Sequence, residues 1–247
     1  MRQRVLITGT TSGIGLGLLR YYAQQGWDVV SFNRRRDPAL ESYFPGARFL
    51  SIDVCDREAI RAYFREAAAR DELPQIYYLN AGINKADNAG SFSLDIFEEV
   101  MKINFTGVLN FIDAALPLLP GRKAVFVFTS STSIIFPNAS YLSYYISKLG
   151  ITKIFRLWGA RYRNKGIVFK TLVLGPVETE LLDTGSAPDS LEGRIRKLVT
   201  VNPDKLVPKI VAFVHSRRKT FYYSKGAFLL YLLAAVIHAL PIKIKAR

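Results

Sequence analysis

One cysteine, Cys55, and two histidines in 247 residues leave little material for disulfide or metal chemistry. A lone thiol has no partner within the chain, so a fold of this size must rest on packing, and a reducing, cytoplasmic setting is the expectation. His215 and His238 stand far apart, neither with a cysteine or carboxylate at ligand spacing, which leaves none of the usual zinc patterns. No run rich in serine, proline or glycine divides the chain, and its opening residues enter a strand pattern without the apolar core of a signal peptide. Acid is scarce as well. Twenty Asp and Glu face 34 Lys and Arg, a formal charge of +14, with basic clusters at Arg34-Arg35-Arg36, Arg217-Arg218-Lys219 and Lys243, Lys245, Arg247. That excess suits a polyanion, an anionic membrane surface or a phosphorylated small molecule alike. Zinc-finger spacing and the aromatic run of an RNA-binding sheet are both missing, so no nucleic acid is expected as a partner.

What the chain does have is apolar material, 49% of its residues, arranged with two alternating periods. Short β-rich runs stand at Val5-Leu6-Ile7, Val29 to Phe32, Ala47 to Ile52, Gln75 to Leu79, Val125 to Phe128 and Ile167 to Leu174. Helix-period segments fall between and after them at 13–25, 56–70, 93–116, 141–163 and 203–216. Strands alternating with helices predict an α/β fold with right-handed crossovers and a parallel sheet covered on both faces. Ligands of such sheets bind beyond the carboxyl ends of the strands, which directs attention to the segments just after each strand.

After the first strand comes T-G-T-T-S-G-I-G, with Gly9, Gly13 and Gly15 ahead of a helix. Glycines there permit positive φ, let the backbone approach a pyrophosphate and bring helix and strand together. The spacing G-x-x-x-G-x-G departs from the usual G-x-G-x-x-G. Its position after the first strand nevertheless makes Gly9, Thr11, Ser12, Gly13, Ile14 and Gly15 candidate cofactor-binding residues. The second strand ends at Asn33, about where a dinucleotide fold sets an acid against the ribose 2′-hydroxyl of NAD. Here the acid is absent and Arg34-Arg35-Arg36 stand instead. Guanidinium groups pair well with a 2′-phosphate, so NADP(H) is expected over NAD(H), with Asn33 and above all Arg34 in contact.

The stretch Y-L-S-Y-Y-I-S-K, residues 141–148, crowds three tyrosines ahead of one lysine. Helical residues three or four apart share a face, so Lys148 neighbours Tyr144 or Tyr145, while Tyr141 lies nearly two turns away. Periodicity leaves both candidates standing.

The glycine turn, Asn80-Ala81-Gly82 after the fourth strand, and Tyr144-x-x-x-Lys148 with a serine thirteen residues earlier together resemble the short-chain dehydrogenase/reductase family, in order, over residues 3 to about 223. The resemblance implies a Rossmann-type, doubly wound sheet of seven parallel strands, a nicotinamide cofactor, and hydride exchange with a ketone or secondary alcohol. It selects Tyr144 as proton donor and acceptor, Lys148 as the group that lowers the phenol's pKa and holds the ribose, and Ser131 as orienter of the carbonyl. Asn104, in Lys102-Ile103-Asn104-Phe105, would hold a water that relays protons. Asp53 and Val54 would border the adenine, and Asn80, Ala81 and Gly82 would line the cofactor groove. The family's P-G-x-V-x-T loop reads L-G-P-V-E-T here; the leading proline is missing, while Gly175, Val177 and Thr179 keep register for the nicotinamide side. These roles answer a physical need. Hydride arriving at a carbonyl carbon builds negative charge on oxygen, which an acid and a donor must meet. A phenol with a reference pKa of about 10 needs a neighbouring cation to exchange its proton near neutrality.

Residues 180–202 sit where the family places a substrate lid, and Leu181 and Leu182 favour a hydrophobic substrate: a 3-oxoacyl or other lipid-like molecule, a sterol or a polyketide. The domain is expected over 1–225, followed by a tail, 226–247, whose stretch 226–242 carries no formal charge. As a helix those 17 residues span about 26 Å, short of a ~30 Å hydrocarbon core. A membrane surface, a second subunit or the chain's own active site are the coverings open to this tail, and Lys243, Lys245 and Arg247 suit anionic headgroups, hence a peripheral membrane location. A homodimer or homotetramer is the expected assembly. The rival reading is a nucleotide-sensing or scaffold protein on the same fold, against which the intact Ser131, Tyr144, Lys148 and Asn104 weigh.

Overall fold

The computed structural model describes residues 3–87, 92–135, 137–175 and 202–223. Among them are the strands β1 (Arg4–Thr8), β2 (Asp28–Asn33), β3 (Arg48–Ser51), β4 (Ile76–Leu79), β5 (Ala124–Ser131), β6 (Ile167–Leu174) and β7 (Thr220–Tyr223). They form one seven-stranded sheet in the order β3-β2-β1-β4-β5-β6-β7, with every neighbouring pair parallel. The helices are α1 (Gly13–Gln24), α2 (Pro38–Tyr43), α3 (Arg57–Ala69), α4 (Leu94–Met101), α5 (Gly107–Ala115), α6 (Leu142–Arg161) and α7 (Pro203–Val214). This is the doubly wound, Rossmann-type α/β fold.

Both faces of the sheet are covered, and that is why the strands read as continuous apolar runs: all four residues of β4, I-Y-Y-L, are buried. Leu6, Tyr77, Phe126 and Phe169 pack on one face against Phe64 of α3, Phe111 of α5 and Phe155 of α6. Val5, Tyr78, Val127 and Leu172 pack on the other against Leu18 and Tyr22 of α1 and Leu206 and Ile210 of α7. Tyr77, Phe126 and Phe169 stack across three neighbouring strands with ring centres 4.5 and 5.3 Å apart. Each such large apolar side chain contributes roughly 1.5–3 kcal/mol on burial.

The strand order reverses at β1. The chain runs outward from β1 to β2 and β3, then returns to add β4 on the other side of β1, and the connections after β1 and β4 leave the sheet in opposite directions. A crevice therefore opens beyond their carboxyl ends.

Three features differ from the sequence reading. Segment 93–116 is not one helix, because a π-helical turn, Lys102–Thr106, separates α4 from α5. The short α2 is started by Asp37, whose carboxylate accepts from Leu40 N at 3.1 Å, with Pro38 as first residue. And β5 runs three residues beyond Phe128, since pairing with β6 continues to Ser131 opposite Leu174. That extension sets Ser131 at the strand's last position. No helix among the described residues is long and apolar enough to cross a membrane; the lid segment up to 201 and the tail lie outside the described residues.

Candidate active site

Beyond the carboxyl ends of β1, β4, β5 and β6 lies a cavity of about 810 Å³. The glycine turn forms a section of its wall. Gly9 and Gly13 hold positive φ, +70° and +56°, which favours glycine at both. Gly15 does not line the cavity. A Cβ there would lie 1.9 Å from the carbonyl oxygen of Gly9, so this glycine lets α1 seat against the turn. No side chain caps the first turn of α1, whose Ncap is Ser12, and no acid stands in it. Its first amides and the positive end of its dipole are left to an anion.

Thr8 and Asn80 splice the strand ends together. Thr8 Oγ1 accepts from the backbone N–H groups of Asn80 and Ala81, both at 2.9 Å. The Asn80 amide donates to the carbonyls of Thr8 and Gly9 and accepts from Thr129 Oγ1 at 3.1 Å, so one side chain joins β1, β4 and β5. Thr11, Ile14, Ala81, Gly82 and Gly175 line the same cavity.

Asn33 also lines it, but its amide is engaged. Oδ1 accepts from Thr10 N at 2.8 Å, and Nδ2 donates to Thr10 Oγ1 and Ser31 Oγ at 3.0 Å, making Asn33 a brace for the glycine turn. The basic run divides by partner. Arg36 pairs with Glu41, whereas Arg34 and Arg35 reach the cavity and form no ion pair among the described residues. Asp53 and Val54 line the cavity too, with Asp53 Oδ1 accepting from Cys55 N at 2.8 Å. Burial pushes the Cys55 thiol up to about 11, which leaves it unreactive near neutrality.

Ser131, Tyr144 and Lys148 converge on this cavity, together with Tyr141; Tyr145, one residue after Tyr144, does not line it. Ser131 Oγ accepts from Ser133 N at 3.1 Å. Its neighbour Ser130 is buried and bonds Thr152 Oγ1 of α6 at 2.8 Å. Lys148 is 4% exposed; its Nζ donates to the Thr129 carbonyl at 2.8 Å and lies 5.5 Å from the centre of the Tyr144 ring. Burial lowers Lys148 to about 8. Burial also raises Tyr144, against a weaker opposing pull from its hydrogen bond with Ser131.

Asn104, fully buried in the π-helical turn, is absent from the cavity wall. Its Oδ1 accepts from Ile83 N and its Nδ2 donates to Ile83 O, both at 2.8 Å, with a further bond to Ser147 Oγ at 3.3 Å. The side-chain amide thus clamps the segment after β4. Gly82 is needed beside it, because a Cβ there would lie 2.9 Å from Asn104 Oδ1. Val177 and Thr179 lie outside the described residues.

Sequence reasoning missed Asp87. This buried carboxylate accepts from Ser143 Oγ at 2.6 Å and Ser143 N at 3.2 Å, while its own N–H donates to the Ser140 carbonyl at 2.7 Å. Tyr141 provides no side-chain cap for α6, so Asp87 caps the helix in its place, at the residue just before Tyr144. No local pattern signals it, since donor and acceptor are 56 positions apart.

The family model described as short chain dehydrogenase matches residues 3–189. The chain belongs to the short-chain dehydrogenase family. Among its relatives, "3beta-hydroxysteroid dehydrogenase 1" of Eggerthella lenta is 27% identical over 187 residues, 72% of this chain and 71% of that protein. The fold matches 3-ketoacyl-(acyl-carrier-protein) reductase from Brucella melitensis, solved with NADH, at a TM-score of 0.79 and 21% identity over 91% of this chain and 98% of that one. It also matches a short chain dehydrogenase from Burkholderia cenocepacia J2315, solved with NADP, at 0.79 and 20% identity over 100% of both chains. The segments that carry this short-chain dehydrogenase's candidate residues, the turn after β1, the end of β4, the end of β5 and the start of α6, all fall within the matched range.

Proposed function

We propose that this short-chain dehydrogenase is an NADP(H)-dependent oxidoreductase that exchanges hydride with a hydrophobic ketone or the matching secondary alcohol. One observation carries the reading. Ser131, Tyr144 and Lys148 face the same cavity as the uncapped end of α1 and as Arg34 and Arg35, which are unpaired among the described residues. The residues fit a phosphorylated dinucleotide: positive φ at Gly9 and Gly13 opens the turn, helix amides face the space, and these two guanidinium groups stand beside Asn33. Relatives solved with NADH and with NADP support a nicotinamide cofactor, and the two arginines support NADP(H).

When bound, the cofactor supplies or receives the hydride at the substrate carbon. Ser131, its oxygen already accepting from Ser133 N, turns its hydroxyl hydrogen toward the substrate oxygen and fixes it. Tyr144, kept protonated by burial, gives its phenolic proton to that oxygen as charge develops, leaving an alcohol and a phenolate. Lys148, titrating at about 8 and anchored on the Thr129 carbonyl, holds a proton close to the phenolate and steadies it. Oxidation runs the same transfers backward. Asn104 serves by fixing Ile83, and Asn80 by fixing the strand ends. Val177, Thr179 and the lid over 180–202 complete the nicotinamide and substrate sides in this reading. The steroid and 3-ketoacyl activities named for two relatives support an apolar carbonyl substrate. A homodimer or homotetramer, and contact of 226–247 with a membrane surface, belong to the same proposal. An apolar groove between α5 and α6, lined by Leu116, Ile154 and Trp158, and the 69% exposed Leu157 support the assembly.

The test is stopped-flow and steady-state reduction of a ketone panel with NADPH. Tyr144→Phe is expected to cut kcat by about 100-fold or more while NADPH binding stays within a few-fold of wild type. Tyr145→Phe should keep activity within about twofold, since it removes no group from the cavity. An active Tyr144→Phe enzyme overturns the mechanism.

A further inference from the structure

After Asp204 the sequence turns one-sided: residues 205–247 carry nine Lys and Arg and no Asp or Glu. Five of those cations stand among the described residues, Lys205 and Lys209 on α7 and Arg217, Arg218 and Lys219 in the loop that leads into β7, and all five are exposed. None of the five joins an ion pair among the described residues, and Asp204 itself is taken by Arg20 at 3.5 Å. Cations held close together without acids repel one another and raise the affinity of their surface for an anionic partner.

The fold builds this surface. β7 is the last strand in the sheet order, and Leu206 and Ile210 of α7 pack in one cluster with Phe221 of β7, so the two elements form one edge of the domain. The carbonyls at the end of a helix carry the negative end of its dipole, which would weaken an anion site there. Lys170 removes that obstacle from the inside. Its Nζ donates to the carbonyls of Phe213, Ser216 and Arg218 at 3.0, 2.6 and 2.8 Å. Ser216 Oγ donates to the Phe213 carbonyl at 2.8 Å and accepts from Arg218 N at 3.3 Å. These bonds draw the backbone of the loop inward and fix it, while the side chains of Arg217, Arg218 and Lys219 stay exposed. At the other end of β7, Lys209 donates to the Tyr223 hydroxyl at 3.1 Å and lies 4.7 Å from the centre of its ring. The four residues of β7 span roughly 13 Å, so both groups of cations lie along one short edge.

Nucleic acid and an anionic bilayer would each neutralise such an edge. The same acid-free segment continues into 226–242, which carries no formal charge. A bilayer supplies apolar cover beside anionic headgroups, and a nucleic acid does not. Resting on the membrane contact proposed above for 226–247, we propose that the β7 edge, through Lys205, Lys209 and the loop Arg217, Arg218 and Lys219, is a docking surface for an anionic lipid bilayer. The folded domain thereby contributes the electrostatic half of a two-part anchor, whose strength depends on acidic lipid and falls with salt. None of these cations lines the cavity, so docking leaves the candidate active site free.

The experiment floats the full chain with vesicles of phosphatidylcholine alone and of an equal mixture of phosphatidylcholine and phosphatidylglycerol, at low and high ionic strength. Wild type is compared with the triple variant Arg217→Gln, Arg218→Gln, Lys219→Gln and with a charge-keeping control, Arg217→Lys, Arg218→Lys. The urea midpoint and NADPH affinity of each verify the fold. Wild type is expected to bind the acidic vesicles about 50-fold or more tightly than the neutral ones, a preference that high salt removes. The triple variant is expected to lose about 20-fold or more of its affinity for the acidic vesicles, at roughly fivefold per charge, and to stay within about twofold on the neutral ones. The control keeps wild-type affinity on both. Equal losses on both vesicles, no loss on the acidic ones, or a loss in the control overturns the docking surface while the contact through 226–247 stands. If wild type binds neither vesicle, that contact fails and the surface with it. Binding of duplex DNA that the triple variant loses, without a preference for acidic vesicles, overturns the proposal in favour of a nucleic acid.

Discussion

Arg34, Arg35 and Arg36 are one basic run in sequence and two kinds of residue in space. Arg36 is exposed and held by Glu41, an ion pair that contributes little at the surface. Arg34 and Arg35 line the cavity without an ion-pair partner among the described residues. A 2′-phosphate there would gain charge-assisted hydrogen bonds worth roughly 1.5–3 kcal/mol. Arg34→Asp is therefore expected to weaken NADPH binding by about 10- to 100-fold and NADH by far less, as read by fluorescence titration of both cofactors. Equal weakening of the two would remove Arg34 from the 2′-phosphate. The three tyrosines divide in the same way. Helical spacing left Tyr144 and Tyr145 open, family resemblance selected Tyr144, and of the two only Tyr144 lines the cavity.

The start of α6 is where one element's local sequence falls short. Its first turn contains no acid, and its Ncap residue, Tyr141, offers no capping bond. Asp87, from the segment after β4, supplies both by bonding Ser143, and so ties the helix that carries Tyr144 and Lys148 to the loop that carries Gly82. Asp87→Ala is expected to destabilise the protein by about 1–2 kcal/mol, the range of a lost N-cap, and to lower kcat more than it weakens NADPH. Asp87→Asn should recover some of both losses, since an amide oxygen still accepts from Ser143. Urea denaturation and steady-state kinetics check the pair; a stability loss with unchanged kcat would confine Asp87 to a structural role. The break between α4 and α5 has a similar origin. The helical period of 93–116 is real, but Asn104 must turn its amide onto Ile83, and a π-helical turn is found there.

At the scale of the molecule, two lysines are buried among the described residues of a chain that has cationic charge to spare. Lys148 faces the cavity. Lys170, on β6, donates from Nζ to the carbonyls of Phe213, Ser216 and Arg218 at 3.0, 2.6 and 2.8 Å, closing the end of α7 onto the approach to β7. Both are lowered to about 8, in each case chiefly by burial, with Lys219 and Arg218 adding to the effect at Lys170. An unfolded lysine keeps its proton to about 10.4. Between about pH 8 and that value the unfolded chain binds more protons than the native one, so each lysine makes stability rise with pH across this window. Above about 10 the opposite sign sets in, because unfolded tyrosines ionise while Tyr22, raised to about 12 by burial, does not. Urea midpoints taken at pH 7.5, 8.5 and 9.5 should climb in wild type and climb less in Lys148→Met. An identical slope in the variant would show that Lys148 does not release its proton in the folded state.

The alternation of apolar periods determined the α/β class and six of the strands, because a strand buried on both faces and a helix buried on one leave different local patterns. The glycine turn, Asn80-Ala81-Gly82 and the Tyr144–Lys148 spacing were likewise legible, being short motifs at fixed places after strands. Whether each residue faces the cavity or something else was decided by the tertiary structure alone. Gly15 meets the Gly9 carbonyl, Asn33 meets Thr10, Asn104 meets Ile83 and Asp87 meets Ser143. The last two contacts join residues 21 and 56 positions apart. Local sequence sets backbone preference and which face is apolar; which polar group finds a partner depends on segments that folding brings together.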